Sequence, residues 1–164
     1  MEALLIEAIQ NNNNNVDSST KKTALNNILD YEECLRLLLD VGAQIELLKE
    51  RGFGILSLDK NDIFQLSSGG FMINPDILSF RCDNNGMIRI DKPFDYSKGM
   101  APELQTIKQL PSTVSYNVAY FSLKQLTLDV MQLETLTQLE PTKMFYLLER
   151  CSKEKSEDRL FLFI

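Results

Sequence analysis

The apolar and polar positions of this chain fall into three textures. In the first, Cys34, Leu35, Leu37, Leu38, Leu39, Val41, Ile45, Leu47 and Leu48 recur at helical spacing. They lie nearly all round the first half of the helix, the mark of a helix buried on most sides. Both ends of that helix carry signals. Asp30 is placed to cap it, with Glu32 and Glu33 in the first turn, where carboxylates meet the positive end of the helix dipole. Lys49, Arg51 and Gly52 supply cations and a left-handed stop at the other end. After Gly54 the helical period disappears. Residues 55–58 and 62–66 read as short β-like or irregular pieces, and Ser67-Ser68-Gly69-Gly70 reads as a turn. Residues 71–73, 77–81 and 87–90 read as short extended runs. The last two are joined by Asp83-Asn84-Asn85-Gly86, whose Asn-Gly pair is a hairpin signal.

The helical period returns after a polar loop over 91–100. Pro102 opens a short helix over 103–109, and Pro111 ends it. A long helix is predicted over 115–132, with Val118, Phe121, Leu123, Leu126, Leu128, Val130 and Met131 mostly inward. Pro141 opens a third, over 142–153. Residues 160–164, Leu-Phe-Leu-Phe-Ile, are too apolar to stand in water and are predicted to pack on the body or on a partner. Near the other end, Asn11 to Asn15 form an asparagine tract followed by polar residues, and 11–23 is predicted to be a flexible loop. The whole pattern predicts one domain over 1–164, mainly α within the α+β class, with one or two small β hairpins.

Composition narrows the chemistry. The formal net charge of −6 over 164 residues argues against nucleic-acid binding, which needs clustered Lys and Arg, and is compatible with a basic partner. No apolar run is long enough for a membrane helix, and the N-terminal stretch carries Glu2 and Glu7 without the basic start of a secretory signal. The sequence has no histidine. That excludes Ser-His and Cys-His nucleophile systems and any His-ligated zinc site. Cys34, Cys82 and Cys151 are odd in number and far apart, so neither a disulfide framework nor a metal pattern emerges. Free thiols fit a reducing cytoplasmic or nuclear setting.

Three local motifs then bear on identity. Met100-Ala101-Pro102-Glu103-Leu104 resembles the motif that closes a protein-kinase activation segment. Ser115-Tyr116-Asn117-Val118-Ala119-Tyr120-Phe121-Ser122-Leu123 resembles the start of the central kinase helix, with Asn117, Ala119 and Ser122 where Asp, Trp and Gly are usual. Cys151 followed by Arg159 resembles the last kinase signature. In this order the chain resembles a protein-kinase C-lobe without its N-lobe, a pseudokinase, and within that superfamily the kinase non-catalytic C-lobe (KIND) domain. The resemblance implies a buried ion pair between Glu103 and Arg159. It also implies no catalytic residues. The Gly-rich loop and strand Lys of a kinase are missing, as is the His-Arg-Asp triplet. The register over 53–80 stays open. Phe71 to Leu78 sits about where the catalytic loop and following strand belong, whereas 58–63 gives a rival alignment with Ser57 at the base position. Asp91 reads as an exposed loop aspartate rather than a metal ligand.

These features lead to an expected function: a non-catalytic protein–protein interaction module, without ATP, cofactor or metal. By analogy with KIND domains, Asp30, Glu32, Glu33, Asp40 and Glu46 are candidates for a groove that takes a basic peptide segment of a cytoskeletal or signalling partner. The alternative is a structural subunit of a larger complex, and a divergent kinase-like enzyme ranks third.

Overall fold

A computed structural model describes Leu5 and residues 21–161. Its elements, in chain order, are β1 (Lys22–Ala24), α1 (Tyr31–Glu50), β2 (Phe53–Ile55), β3 (Ile63–Leu66), β4 (Phe71–Ile73), β5 (Ser79–Cys82), β6 (Met87–Ile90), α2 (Pro102–Gln105), β7 (Ser112–Ser115), α3 (Val118–Val130) and α4 (Lys143–Cys151), with short 3-10 turns between some of them. The strands form two antiparallel sheets, β1-β3-β4 and β2-β5-β6-β7.

The expectation of a mainly α domain with one or two hairpins is therefore overturned. The chain is an α+β fold whose described part carries seven strands in two sheets. The strands missed are instructive. β1 lies at the end of the stretch read as a flexible loop; Lys22 and Thr23 pair with Leu66 and Gln65. The rest of that loop, 11–20, lies outside the described residues. β7 takes in Ser115, at which the apolar pattern predicts the long helix to begin. Both strands are largely polar and only three or four residues long, too short for a period of two to show.

The helices follow their local signals more closely. In α1 the Asp30 carboxylate accepts from the Glu33 N–H at 2.9 Å, and Glu33 returns a bond from the Asp30 N–H at 3.0 Å, a complete capping box. Gly52, at φ 79°, lets the chain turn back after the last helical turn. α2 is shorter than expected because Thr106 caps it, its hydroxyl donating to the Glu103 carbonyl at 2.8 Å. Thr142 caps α4 by accepting from the Phe145 N–H.

Two hydrophobic clusters hold these elements. The larger joins Leu37, Leu38, Val41, Ile45 and Leu48 of α1 to Ile63, Phe71 and Ile73 of the three-stranded sheet, and to the inner faces of α3 and α4; fully buried Leu5 joins it too. The smaller packs Phe80, Ile88, Ile90 and Val114 of the four-stranded sheet against Met100, Ala101, Leu104 and Val118. Tyr116 packs against both. A buried Leu in either cluster contributes about 1.5–3 kcal/mol by leaving water. The C-terminal run behaves in two ways. The Phe161 ring stacks on Tyr120 (centroids 5.0 Å apart, 4° between planes) and covers Gly42, whereas Leu160 is exposed. Residues 162–164 lie outside the described residues.

Candidate binding site

The residues expected to pin the chain converge. Arg159, 1% exposed, donates to both Glu103 oxygens, at 2.5 and 2.9 Å, a bidentate charge-assisted contact. It also donates to the carbonyls of Lys153 and Glu154, and its guanidinium lies 5.1 Å from the Phe121 ring centroid. The pair is buried on the arginine side only, since the Glu103 side chain keeps 27% of its surface. Asn117 completes the knot by donating to the carbonyls of Ser156 and Arg159 at 3.0 and 3.3 Å. Cys151 Sγ lies 3.9 Å from the Leu160 carbonyl oxygen. This cluster ties α2, the start of α3 and the segment after α4 together.

The five acidic residues expected to line a groove are dispersed. Asp30, Glu32 and Glu33 sit exposed at the start of α1, where Asp30 and Glu33 are engaged with each other's backbone. Glu46 accepts from the Tyr116 hydroxyl at 3.1 Å and from the Tyr120 hydroxyl, and lies 3.6 Å from Lys49. Burial and then the Glu46 carboxylate hold both phenols above the ordinary tyrosine range. Asp40 has no exposed surface, which removes it from any docking face. It accepts from the Phe71 N–H at 2.9 Å and pairs with Arg36 at 3.1 Å. Burial raises its pKa against those stabilising contacts. Asp40 is interior because β4 needs it. In the β3–β4 pairing the N–H and C=O groups of Phe71 and Ile73 turn away from β3. Asp40 takes the Phe71 N–H, while Gln44 donates to the Phe71 carbonyl at 2.9 Å and accepts from the Ile73 N–H at 2.8 Å.

At the edge of the other sheet the arrangement differs. Tyr116 donates its N–H to the Gly86 carbonyl, and in the register Ile88↔Val114 and Ile90↔Ser112 the hydrogen-bonded positions continue at Val114 and Ser112. The N–H and C=O groups of Thr113 and Ser115 therefore face outward, and among the described residues none of them has a hydrogen-bond partner. Beside this edge lies an open depression of about 640 Å³, lined by Glu103, Thr106, Lys108, Gln109, Pro111 and Thr113 among others. Across the exposed face of the sheet runs a cross-strand row, Phe53–Arg81–Arg89–Thr113. Arg81 and Arg89 stand directly opposite each other. Arg81 lies over the Phe53 ring at 5.6 Å, and neither arginine forms an ion pair among the described residues.

No family model matches this chain, and no curated protein matches its sequence. No helix among the described residues is long and apolar enough to cross a membrane.

A second groove, of about 750 Å³, lies between Leu58, Asp59, Lys124, Asp129, Leu133 and Glu134. Desolvation lowers the pKa of half-buried Lys124, whose ammonium sits 5.5 Å from the Phe121 centroid. Charges of both signs line this groove, so it selects no ligand charge. The thiols are ill-suited to nucleophilic work, because burial pushes Cys34 and Cys151 up to about 12 and raises Cys82 as well. No group of three or more His, Cys, Asp or Glu among the described residues is placed to hold a metal ion. The edge residues Thr113 and Ser115 and the arginine row escaped the sequence reading. The one available signal was the β-branched pair Thr113-Val114 just after Pro111.

Proposed function

We propose that this chain is a non-catalytic protein–protein interaction module, and that its likeness to a kinase C-lobe resides in the residues that tie it together: Ala101-Pro102-Glu103, Asn117, Cys151 and Arg159. The observation that carries the binding reading is the open β7 edge. Exposed strand edges are templates for another chain, and folded proteins normally blunt them. Here the edge groups of Thr113 and Ser115 face outward, and Thr113 borders an open depression of about 640 Å³. Strand addition of this kind draws affinity from the main chain and selectivity from flanking side chains.

Affinity capture from the native cell with tagged wild-type chain and with Thr113→Pro tests this reading. Proline removes the outward N–H and places its ring on the edge. A partner held by the wild type and lost by Thr113→Pro is the expected result; identical partner sets for both chains would contradict it. The non-catalytic half of the proposal has its own check. Millimolar ATP with magnesium is expected to leave the melting temperature unchanged, and a clear upward shift would contradict it.

A further inference from the structure

Resting on that strand-addition reading, we infer that the segment received at β7 is an extended, acidic stretch of a partner protein. The charges on this sheet are unusual. The chain carries a net charge of −6, yet two arginines occupy directly opposed positions on the exposed face of β5 and β6. Like charges directly opposite each other in an antiparallel pair are destabilising. Neither is offset by a carboxylate among the described residues, and Asp91, two residues beyond Arg89 on the same strand direction, makes no ion pair with it. A strand added to β7 extends the row Phe53–Arg81–Arg89–Thr113 by one position. Neighbouring strands are about 4.8 Å apart, so the new side chain stands about two such spacings from Arg89 with only Thr113 between. Threonine is short. An arginine and a glutamate reaching toward each other across it can meet.

The depression adds to the same preference. Its carboxylate, Glu103, is already held by Arg159 through both oxygens, which leaves Lys108 as the charged lining residue without an ion pair among the described residues. An incoming acidic strand thus lies next to the arginine row and beside a depression that Lys108 lines. Backbone groups of Thr113 and Ser115 supply the register. Every second side chain of the added strand falls on the arginine face, so alternation of acidic and β-branched residues is the pattern that fits.

The test uses the full chain and two fluorescent probe peptides, (Glu-Val)4 and (Lys-Val)4, followed by anisotropy. The glutamate peptide is expected to bind and the lysine peptide not to. Thr113→Pro is expected to weaken the glutamate peptide by at least about tenfold, the scale of one charge-independent backbone hydrogen bond. The double variant Arg81→Glu/Arg89→Glu, on exposed positions that leave the core untouched, is expected to reverse the preference. Lysine-peptide binding that Thr113→Pro abolishes would overturn the acidic assignment and leave the edge reading standing. Failure of both peptides to bind would overturn both. Self-association in sedimentation that Thr113→Pro removes would make a second copy of this chain the occupant and overturn the inference. Glutamate-peptide binding that survives Thr113→Pro would do the same.

Discussion

The two sheets of this molecule end in edges treated in opposite ways. At β4 the outward groups of Phe71 and Ile73 are taken by Asp40 and Gln44, both fully buried side chains of α1. At β7 the equivalent groups of Thr113 and Ser115 have no partner among the described residues, and Thr113 lines a surface depression. The first solution is costly, since a carboxylate is held out of water, but an unpaired buried backbone group costs more than a satisfied one. Helix α1 lies over β4, so water has no access to that edge and the side chains must replace it. Among the described residues no side chain takes the outward N–H and C=O groups of β7 in this way. The contrast separates an edge closed by the core from an edge left unpaired among the described residues.

The largest expected effect comes from undoing the closed edge. Gln44→Ala orphans the Phe71 carbonyl and the Ile73 N–H, and is expected to lower stability in urea titration by about 3 kcal/mol, at about 1–3 kcal/mol for each buried group left unpaired. A loss near zero would mean that the edge is not closed by this side chain. Asp40→Ala is expected to cost somewhat less, about 2–3 kcal/mol, because it orphans one buried backbone group, the Phe71 N–H, where Gln44→Ala orphans two.

A middle-sized effect lies in pH. Asp40 in the folded chain has a raised pKa, so between the ordinary carboxylate value near 4 and that raised value the folded state binds more protons than the unfolded one. Stability contributed by Asp40 therefore falls as pH rises through this window and is greatest at its acid end. Asp62 is raised as well, by burial first, so the comparison must be made against Asp40→Asn. The difference between wild type and that variant is expected to carry the negative slope. Parallel stability–pH curves would contradict the burial of an ionisable Asp40. The smallest effect belongs to the open edge: Thr113→Pro is expected to change stability by less than about 1 kcal/mol, because the N–H it removes is unpaired. A loss of several kcal/mol would show that Thr113 N–H has a partner and that the two edges are alike.

The parts legible in the sequence were those whose physics is local. The limits of α1 follow from Asp30, Glu33 and Gly52, each acting within four residues of the helix end, and the β5–β6 hairpin follows from Asn85-Gly86. Long-range requirements were not legible. Asp40 carries a charge on a helix, which reads as part of an exposed acidic groove; its burial is decided by Phe71, far along the chain. β1 and β7 are polar because edges tolerate polar residues, and that same property hid them. Glu103 and Arg159 came together only because a resemblance suggested the pairing; neither residue's spacing does so. Arg81 and Arg89 needed the hairpin register before they could be seen as opposed.

The most direct test of the difference between the edges is native-state amide hydrogen exchange of four residues in the free chain. Phe71 and Ile73 are expected to exchange only through the large openings that unfold the core, and Thr113 and Ser115 to exchange almost as fast as an unprotected amide although both lie in a strand. Slow exchange at Thr113 and Ser115, on the scale of Phe71 and Ile73, would contradict the open edge and with it the binding role built on it.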